Sequence, residues 1–543
     1  MARRDPPYAS LLTGTLCLLI FVELVWVQLR FASVLPGNQR DAVKSVARDV
    51  GDSHAQLHQD PPSLLNPAII VFCYDRPGYL NQTLTSLAAL PELADFTLYI
   101  SQDGNHIGVQ GVIETHRAAL AALTAGFESW QRPRVPQLGP RQPGHAWLAQ
   151  HYKWGLDRLF LKGGHSHAVI VEDDMLFSPD FLTLFMETGW LLDADPTLWC
   201  ISSWNDNGFS KDHDWDPTRL FRTSYFPGLG WMLSSRLWEE LGPAWPQQHW
   251  DHWMRMEGVA RGRDCVAPEV NRNRNIGEVG ANMDRATFRK SLQTMAWARE
   301  APAAGFGDVR YLLQPAYDAA ARAAVAGAQI LPPAALRGAA PPPDLRGGAA
   351  LVPYLLEDYT RLARRTGVWA FPRGHYRFLT SVPWRGGRLL LADARRCDLL
   401  PGVLRTLPTP GMRGVAAEPG VSCSAACRAR GAVCSKADLH FLNTCAALMR
   451  AFPCPRGCSL EWGQDLPNMV AEGARNHSSP GTCYVTQQMP QCRGQAPETR
   501  RLCACVPPGT MADEAAAAVL RPRFLRPRVK AGETGGAEAL AGA

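Results

Sequence analysis

Ala168-Val169-Ile170-Val171-Glu172-Asp173-Asp174 is the stretch from which the fold can be read. Four apolar residues, mostly β-branched, run without polar alternation into three carboxylates. Such a run predicts a strand covered on both faces, as in a parallel sheet. Working towards the N-terminus, Ala68-Ile69-Ile70-Val71-Phe72 is a run of the same kind followed by Asp75-Arg76, and Thr97-Leu98-Tyr99-Ile100 is followed by Gln102-Asp103. Pro77-Gly78 punctuates the first gap, after which Leu80, Leu84, Leu87 and Leu90 recur at helical spacing. A further helix is expected around residues 151–161. Strand alternating with helix predicts an α/β chain with crossovers between parallel strands. Ligands of open α/β sheets bind outside the carboxyl ends of the strands, so the charged groups there are expected to converge on one site.

Three adjacent carboxylates repel one another when buried without a cation. A divalent ion such as Mg²⁺ or Mn²⁺ takes oxygen ligands and is shared between one or two carboxylates and a substrate diphosphate. The plainer alternative is a solvated acidic turn leading into Ser178-Pro179-Asp180. A second dense stretch holds Trp199-Cys200-Ile201-Ser202-Ser203-Trp204-Asn205-Asp206-Asn207-Gly208, Phe226-Pro227-Gly228-Leu229-Gly230-Trp231 and His249-Trp250-Asp251-His252-Trp253-Met254-Arg255. Aromatic rings beside carboxamides and carboxylates suit a sugar, although the same tryptophans equally suit a core. His249 and His252 lack His-x-x-x-His spacing and a fourth donor, which argues against zinc. Asp251 suits a base instead: inverting sugar transfer needs one carboxylate to accept the proton of the acceptor hydroxyl.

The ends of the chain bear on compartment. The 543 residues are 46% hydrophobic and 20% charged, which is globular usage. A net charge of +6 is too dilute for a nucleic-acid footprint, so no nucleic-acid partner is expected. After a short tail (1–7), residues 8–29 are almost wholly apolar and, at about 1.5 Å per residue, long enough to span a bilayer despite Glu23. No small-residue cleavage site follows directly, so the segment reads as a transmembrane signal anchor, with 30–65 as a stem. Asn81-Gln82-Thr83 and Asn476-His477-Ser478 are N-glycosylation sequons. Residues 301–400 carry an Ala/Pro-rich insertion that includes Pro341-Pro342-Pro343, and 401–422 read as a linker. Ten of fifteen cysteines fall between Cys423 and Cys505, enough for five bridges, which implies an oxidising compartment, with zinc binding the runner-up. The tail 506–543 is Ala-rich and basic and reads as disordered.

The order of Glu172-Asp173-Asp174, Leu198 to Gly208, Phe226 to Trp231 and Trp250 to Arg255, continuing through Gly262 to Glu269, closely resembles the N-acetylglucosaminyltransferase I family. The likeness runs from Asn66 to Ala394. It implies a GT-A nucleotide-sugar-binding fold, a Rossmann-like mixed sheet, over 66–300 with a small second domain over 301–400. It also implies an inverting enzyme that moves N-acetylglucosamine from UDP-GlcNAc, with Mn²⁺, to a mannose 2-hydroxyl in β-1,2 linkage. The implied partner is a mannose-terminated glycan on a glycoprotein. The implied setting is the Golgi membrane, single-pass type II, with the catalytic part luminal.

By that resemblance Asp174 is the metal ligand, Asp173 contacts the ribose and Glu172 the transferred sugar. Arg76, Asp103 and His151 hold the uridine and phosphate end, Leu229 and Trp250 line the sugar pocket, and Asp251 is the catalytic base. Cys200 and Cys265 match a family disulfide. A second family bridge is missing, because Cys73 is displaced by one position and Gly104 follows Asp103, so Cys73 is expected as a free buried thiol. Asn282 stands near the diphosphate where the first enzyme has a serine. This leans towards the related protein O-linked-mannose β-1,2-N-acetylglucosaminyltransferase; the acceptor is nevertheless read as an N-glycan, with O-linked mannose the alternative. A non-catalytic glycan-binding relative is the rival reading. The spacing of Cys423, Cys427 and Cys434 and the closing Cys503-Ala504-Cys505 resemble the end of N-acetylglucosaminyltransferase V, which implies an accessory disulfide module.

Overall fold

The computed structural model describes residues 64–510 apart from 135–142, 210–213, 281–283, 303–304, 337–344 and 478. The apolar run 8–29, the stem to residue 63 and the tail from 511 lie outside the described residues, as does Asn282. Among the described residues no helix is long and apolar enough to cross a membrane.

The first ten strands are β1 (Ala68–Cys73), β2 (Thr97–Asp103), β3 (Gly126–Arg132), β4 (His167–Glu172), β5 (Met175–Phe177), β6 (Leu198–Ser202), β7 (Leu220–Thr223), β8 (Trp231–Ser234), β9 (Asp264–Pro268) and β10 (Asn273–Asn275). Eight of them form one sheet in the order β3-β2-β1-β4-β8-β6-β9-β7, while β5 and β10 make a separate ribbon. The register β1 to β2 pairs Ala68 with Thr97 through Cys73 with Gln102, and β1 to β4 pairs Ala68 with Ala168 through Phe72 with Glu172. The apolar runs are continuous because both faces are covered. Ile69, Val71, Val169 and Val171 pack with Leu80, Leu84 and Leu87 of the helix Pro77–Ala88. On the other face Ile70, Phe72, Ala168 and Ile170 meet Ala149, Tyr152 and Leu156 of the helix Pro143–Asp157. Period-two alternation of side chains sends neighbouring residues of one strand to opposite layers.

The sheet is parallel over β3-β2-β1-β4 but mixed beyond it. Strand β8 runs antiparallel to both β4 and β6, and β7 runs antiparallel to β9. The chain enters β8 from Gly228, Leu229 and Gly230, which all have positive φ (68°, 50° and 73°). That left-handed turn favours glycine. A Cβ on Gly230 would lie 2.6 Å from both Asn273 Nδ2 and Ser203 Oγ. Cys200 and Cys265 are disulfide-bonded across the pair β6 and β9, and Cys73 is a free buried thiol.

A second sheet, in the order β11-β12-β14-β13, comprises β11 (Gln329–Ile330), β12 (Ala349–Tyr354), β13 (Leu379–Trp384) and β14 (Gly387–Asp393). The third comprises β15 (Arg413–Ala416), β16 (Val433–Cys434), β17 (Cys458–Leu460), β18 (Asn468–Val470), β19 (Cys483–Val485) and β20 (Thr499–Val506), with β20 at its centre pairing β15, β16 and β18. Residues 413–416, read above as linker, are thus a strand; their partner Leu502–Cys505 is far away in sequence, so no local pattern announces the pairing. All ten distal cysteines are bridged, as Cys423–Cys503, Cys427–Cys505, Cys434–Cys492, Cys445–Cys458 and Cys454–Cys483, which leaves no thiolate there for zinc.

Candidate active site

Strands β1, β2 and β4 are in register, so the residues that follow them arrive together. Arg76, Asp103, His151, Glu172, Asp173, Asp174, Leu229, Trp250 and Asp251 all line one cavity of about 910 Å³. Of the site residues expected from sequence, Asn282 alone is not placed, because it lies outside the described residues.

At one part of the cavity, Asp174 sits in the turn after β4, beside the ribbon. The ribbon pairs Met175 with Asn275, and Asn275 Nδ2 donates to Asp174 Oδ1 at 3.1 Å. Arg76 Nη1 lies 2.8 Å from Asp174 Oδ2, and the same guanidinium also binds Asp173 Oδ1. Gly277 comes so close that a Cβ there would lie 2.1 Å from Asp174 Oδ2. Burial, with Asp174 adding its charge, pushes the Glu172 carboxyl up to about 7 although Tyr152 donates to its Oε1 at 2.6 Å. Burial likewise takes Asp173 to about 6 against the pull of Arg76. One arginine therefore faces three carboxylates, and the cluster holds more negative charge than its own cation balances. Among the described residues no three His, Cys, Asp or Glu side chains group as a ready-made metal site. Hard oxygen donors at an open cavity, with excess negative charge, fit a divalent cation that takes further oxygens from a diphosphate.

Around Asp103 the structure adds groups that the sequence reading missed. Arg132 Nη1 donates to Asp103 Oδ1 at 2.6 Å and Arg134 Nε to Oδ2 at 2.8 Å. The Arg134 guanidinium lies over the rings of Tyr74 (3.6 Å) and Trp147 (3.9 Å). His151 Nε2 hydrogen-bonds Ser101 Oγ at 2.8 Å, and burial depresses its pKa to about 3, which keeps it neutral. Arg132 ends β3, so the strand-end rule that singled out Asp103 would have found it had β3 been recognised.

The remaining wall is aromatic and carries Asp251. Tyr152 is sandwiched between Phe72 (4.2 Å) and Trp250 (4.4 Å), and Trp250 stacks further on Trp231 and Trp245. Trp250 opens the short helix Trp250–Met254, so Asp251 is fixed on its first turn. Burial works to raise the Asp251 pKa, but Arg255 and His252 outweigh it and hold the carboxyl below the usual range. Arg255 Nη1 is 2.8 Å from Asp251 Oδ2. The arrangement offers an ionised carboxylate, a pocket with stackable rings and an acidic lip, which together can bind a nucleotide sugar and take up a proton.

Comparison with known proteins follows the same line. The profile described as GNT-I family matches residues 34–396. An alpha-1,3-mannosyl-glycoprotein 2-beta-N-acetylglucosaminyltransferase of Arabidopsis thaliana is 38% identical over 218 residues, which is 40% of this chain and 48% of that protein. The match thus spans about half the length of that curated relative. Among solved structures, the mannosyltransferase PcManGT from Pyrobaculum calidifontis in complex with GDP-Man and Mn²⁺ aligns with a TM-score of 0.27 and 16% identity over 38% of this chain and 56% of its own. S. aureus TarS 1-349 aligns with a TM-score of 0.25 and 14% identity over 38% of this chain and 58% of its own. Likeness at that level bears on neither substrate nor mechanism.

Proposed function

The chain belongs to the GNT-I family, and from that premise we propose that it transfers N-acetylglucosamine from UDP-GlcNAc to a mannose 2-hydroxyl of N-glycans on glycoproteins, in β-1,2 linkage. The observation that carries this reading is that the acidic lip at Asp174 and the ionised Asp251 line one cavity. In the proposed reaction the acceptor oxygen attacks C1 of the sugar. The bond from C1 to the diphosphate oxygen breaks, UDP leaves, and the hydroxyl proton passes to Asp251. Attack from the face opposite the leaving group inverts the configuration at C1.

Asp174 is the proposed protein ligand of Mn²⁺, which when bound supplies positive charge to the diphosphate. Arg76 adds its own positive charge on the same lip. Arg134, with the Tyr74 and Trp147 rings, provides a flat cationic surface suited to a nucleobase. Glu172, partly buried and held by Tyr152, is suited to a sugar hydroxyl. The proposed GT-A fold is supported by the family and by the strand-end position of these groups. The five disulfides of residues 423–505 support an oxidising, luminal setting, and we propose a Golgi type II topology anchored by residues 8–29.

The test offers purified protein UDP-GlcNAc and Mn²⁺ with two acceptors, a five-mannose N-glycan and an O-mannosyl peptide, and follows product mass. Transfer to the N-glycan supports the reading. Transfer to the peptide alone moves the protein to O-mannose. UDP-GlcNAc binding without any transfer points to a different acceptor, whereas loss of binding as well supports a glycan-binding relative.

A further inference from the structure

Beyond Asp251 the cavity is bounded by Trp204, Asp206, Trp369 and Arg373. Asp206 is 5% exposed, yet its Oδ2 has no hydrogen-bond partner among the described residues, and neither has Trp369 Nε1 or Arg373 Nε. Buried polar atoms left unpaired are costly, and here they are gathered at the wall of an open site next to the proposed base. Phe371 lies between Trp369 and Arg373 in sequence, and its ring meets Trp462 edge to face at 4.6 Å. Trp462 is 49% exposed. It belongs to the cysteine-rich module, outside the residues 34–396 that match the family.

The module is joined to the segment carrying Asp251. Cys445 N donates to Glu257 Oε2 at 2.9 Å, a Cβ on Gly457 would lie 3.7 Å from the Met256 methyl, and Glu461 acts electrostatically on His252. Neither Phe371 nor Trp462 lines the cavity itself, but Phe371 sits in the segment whose Trp369 and Arg373 do, and Trp462 follows Glu461, which acts on the cavity residue His252. An acceptor mannose whose hydroxyl faces Asp251 must lead the rest of its glycan away from the donor, and the exposed indole beside this rim offers the next aromatic surface. A sugar ring stacks its CH face on an indole while its hydroxyls stay hydrated or bind neighbours such as the exposed Glu461.

We propose that Trp462 and Phe371 form a second saccharide subsite, built in part by the cysteine-rich module, that receives the sugar adjoining the acceptor mannose. This rests on the transferase reading above and names the acceptor class for it: an oligosaccharide of at least two residues. The module thereby acts as a specificity element.

The experiment measures initial rates of the full chain with UDP-GlcNAc and Mn²⁺ on methyl α-mannoside, on a five-mannose oligosaccharide and on an O-mannosyl peptide. Trp462→Ala is expected to raise KM for the oligosaccharide about tenfold, equivalent to about 1.4 kcal/mol. KM for methyl α-mannoside, KM for UDP-GlcNAc and kcat should stay as in the wild type, and Trp462→Phe should restore most of the loss. An unchanged oligosaccharide KM in Trp462→Ala, or an equal loss on the monosaccharide, overturns the subsite while leaving the transferase reading intact. A loss confined to the mannosyl peptide assigns the surface to polypeptide and also overturns it. Absence of wild-type turnover on every acceptor overturns the transferase reading, and the subsite with it.

Discussion

Arg255 Nη1 stands 2.8 Å from Asp251 Oδ2, four residues apart, and this pair borders the same cavity as the acidic lip. Arg255 is itself partly buried and bonds the Phe226 carbonyl through Nε at 3.2 Å, so it is held from two sides. Arg255 is a positioning residue: it keeps the proposed base ionised and aimed.

The consequence is a pH effect. Asp251 sits below the usual carboxylate range because Arg255 outweighs burial. In Arg255→Met that counterweight is gone, so the carboxyl must titrate higher, and the acid limb of kcat/KM should move to higher pH. Asp251→Asn should lower kcat by about 10²–10⁴ while UDP-GlcNAc binding is kept. A pH-rate profile of Arg255→Met that superimposes on the wild type sinks the positioning role. Near-wild-type turnover of Asp251→Asn removes it as base.

Gly277 offers a second test, at the other part of the site. A Cβ placed 2.1 Å from Asp174 Oδ2 cannot be accommodated without displacing that carboxylate. Gly277→Ala should therefore raise KM for UDP-GlcNAc about tenfold to a hundredfold, in line with the cost of small misplacements in active sites. Its melting temperature should remain near the wild-type value, because the change faces the cavity. Calorimetric titration with UDP and Mn²⁺ checks this; undiminished affinity would mean that Asp174 does not hold the donor.

The legible parts of the fold were those with continuous apolar runs. Strands β1, β2 and β4 are buried on both faces, so Ile69 to Phe72 and Val169 to Val171 announce themselves, and the charges at their ends followed. Strand β3 is at the sheet edge and only partly buried, so Gly126–Arg132 carries no apolar run, and Arg132 and Arg134 went unseen with it. Asp206 and Arg373 meet across 167 residues, a pairing that no local periodicity encodes. The short antiparallel β7 and β8 depend on turns and on distant partners, so the local runs announced only the parallel strands and the mixed sheet was expected from the resemblance alone.

Arg222 tests what holds the distal half of the sheet. It is fully buried, with Nη1 2.7 Å from Asp195 Oδ2 and Nη2 3.0 Å from Asp264 Oδ2, and it also donates to the carbonyl of Leu312 at 3.0 Å. Removing the cation leaves two buried carboxylates uncompensated, so Arg222→Met should cost about 3–5 kcal/mol of unfolding free energy. Adding Asp264→Asn to that variant should recover part of it, since one stranded charge is then gone. Denaturant unfolding of the single and double variants reads both effects; an additive double variant would contradict the coupling.

His375 sets an acid limit to stability. It is buried, stacks on Phe378 at 4.9 Å, and its carbonyl accepts the Ser224 amide at 2.7 Å, which joins the second sheet region to the first. Burial, with the charge of Arg396 adding to it, lowers its pKa to about 4. The unfolded chain binds that proton near pH 6.5, so unfolding takes up protons between the two values. The associated stability is fully present above about pH 6.5, falls as pH drops, and is exhausted near pH 4, a loss on the order of 3 kcal/mol. His151, lowered to about 3 by burial, acts in the same direction. Unfolding free energy measured from pH 7 to pH 4.5 should therefore fall less steeply in His375→Gln than in the wild type. Parallel slopes would show that His375 is already protonated in the folded protein, with a partner other than the aromatic face on which it rests.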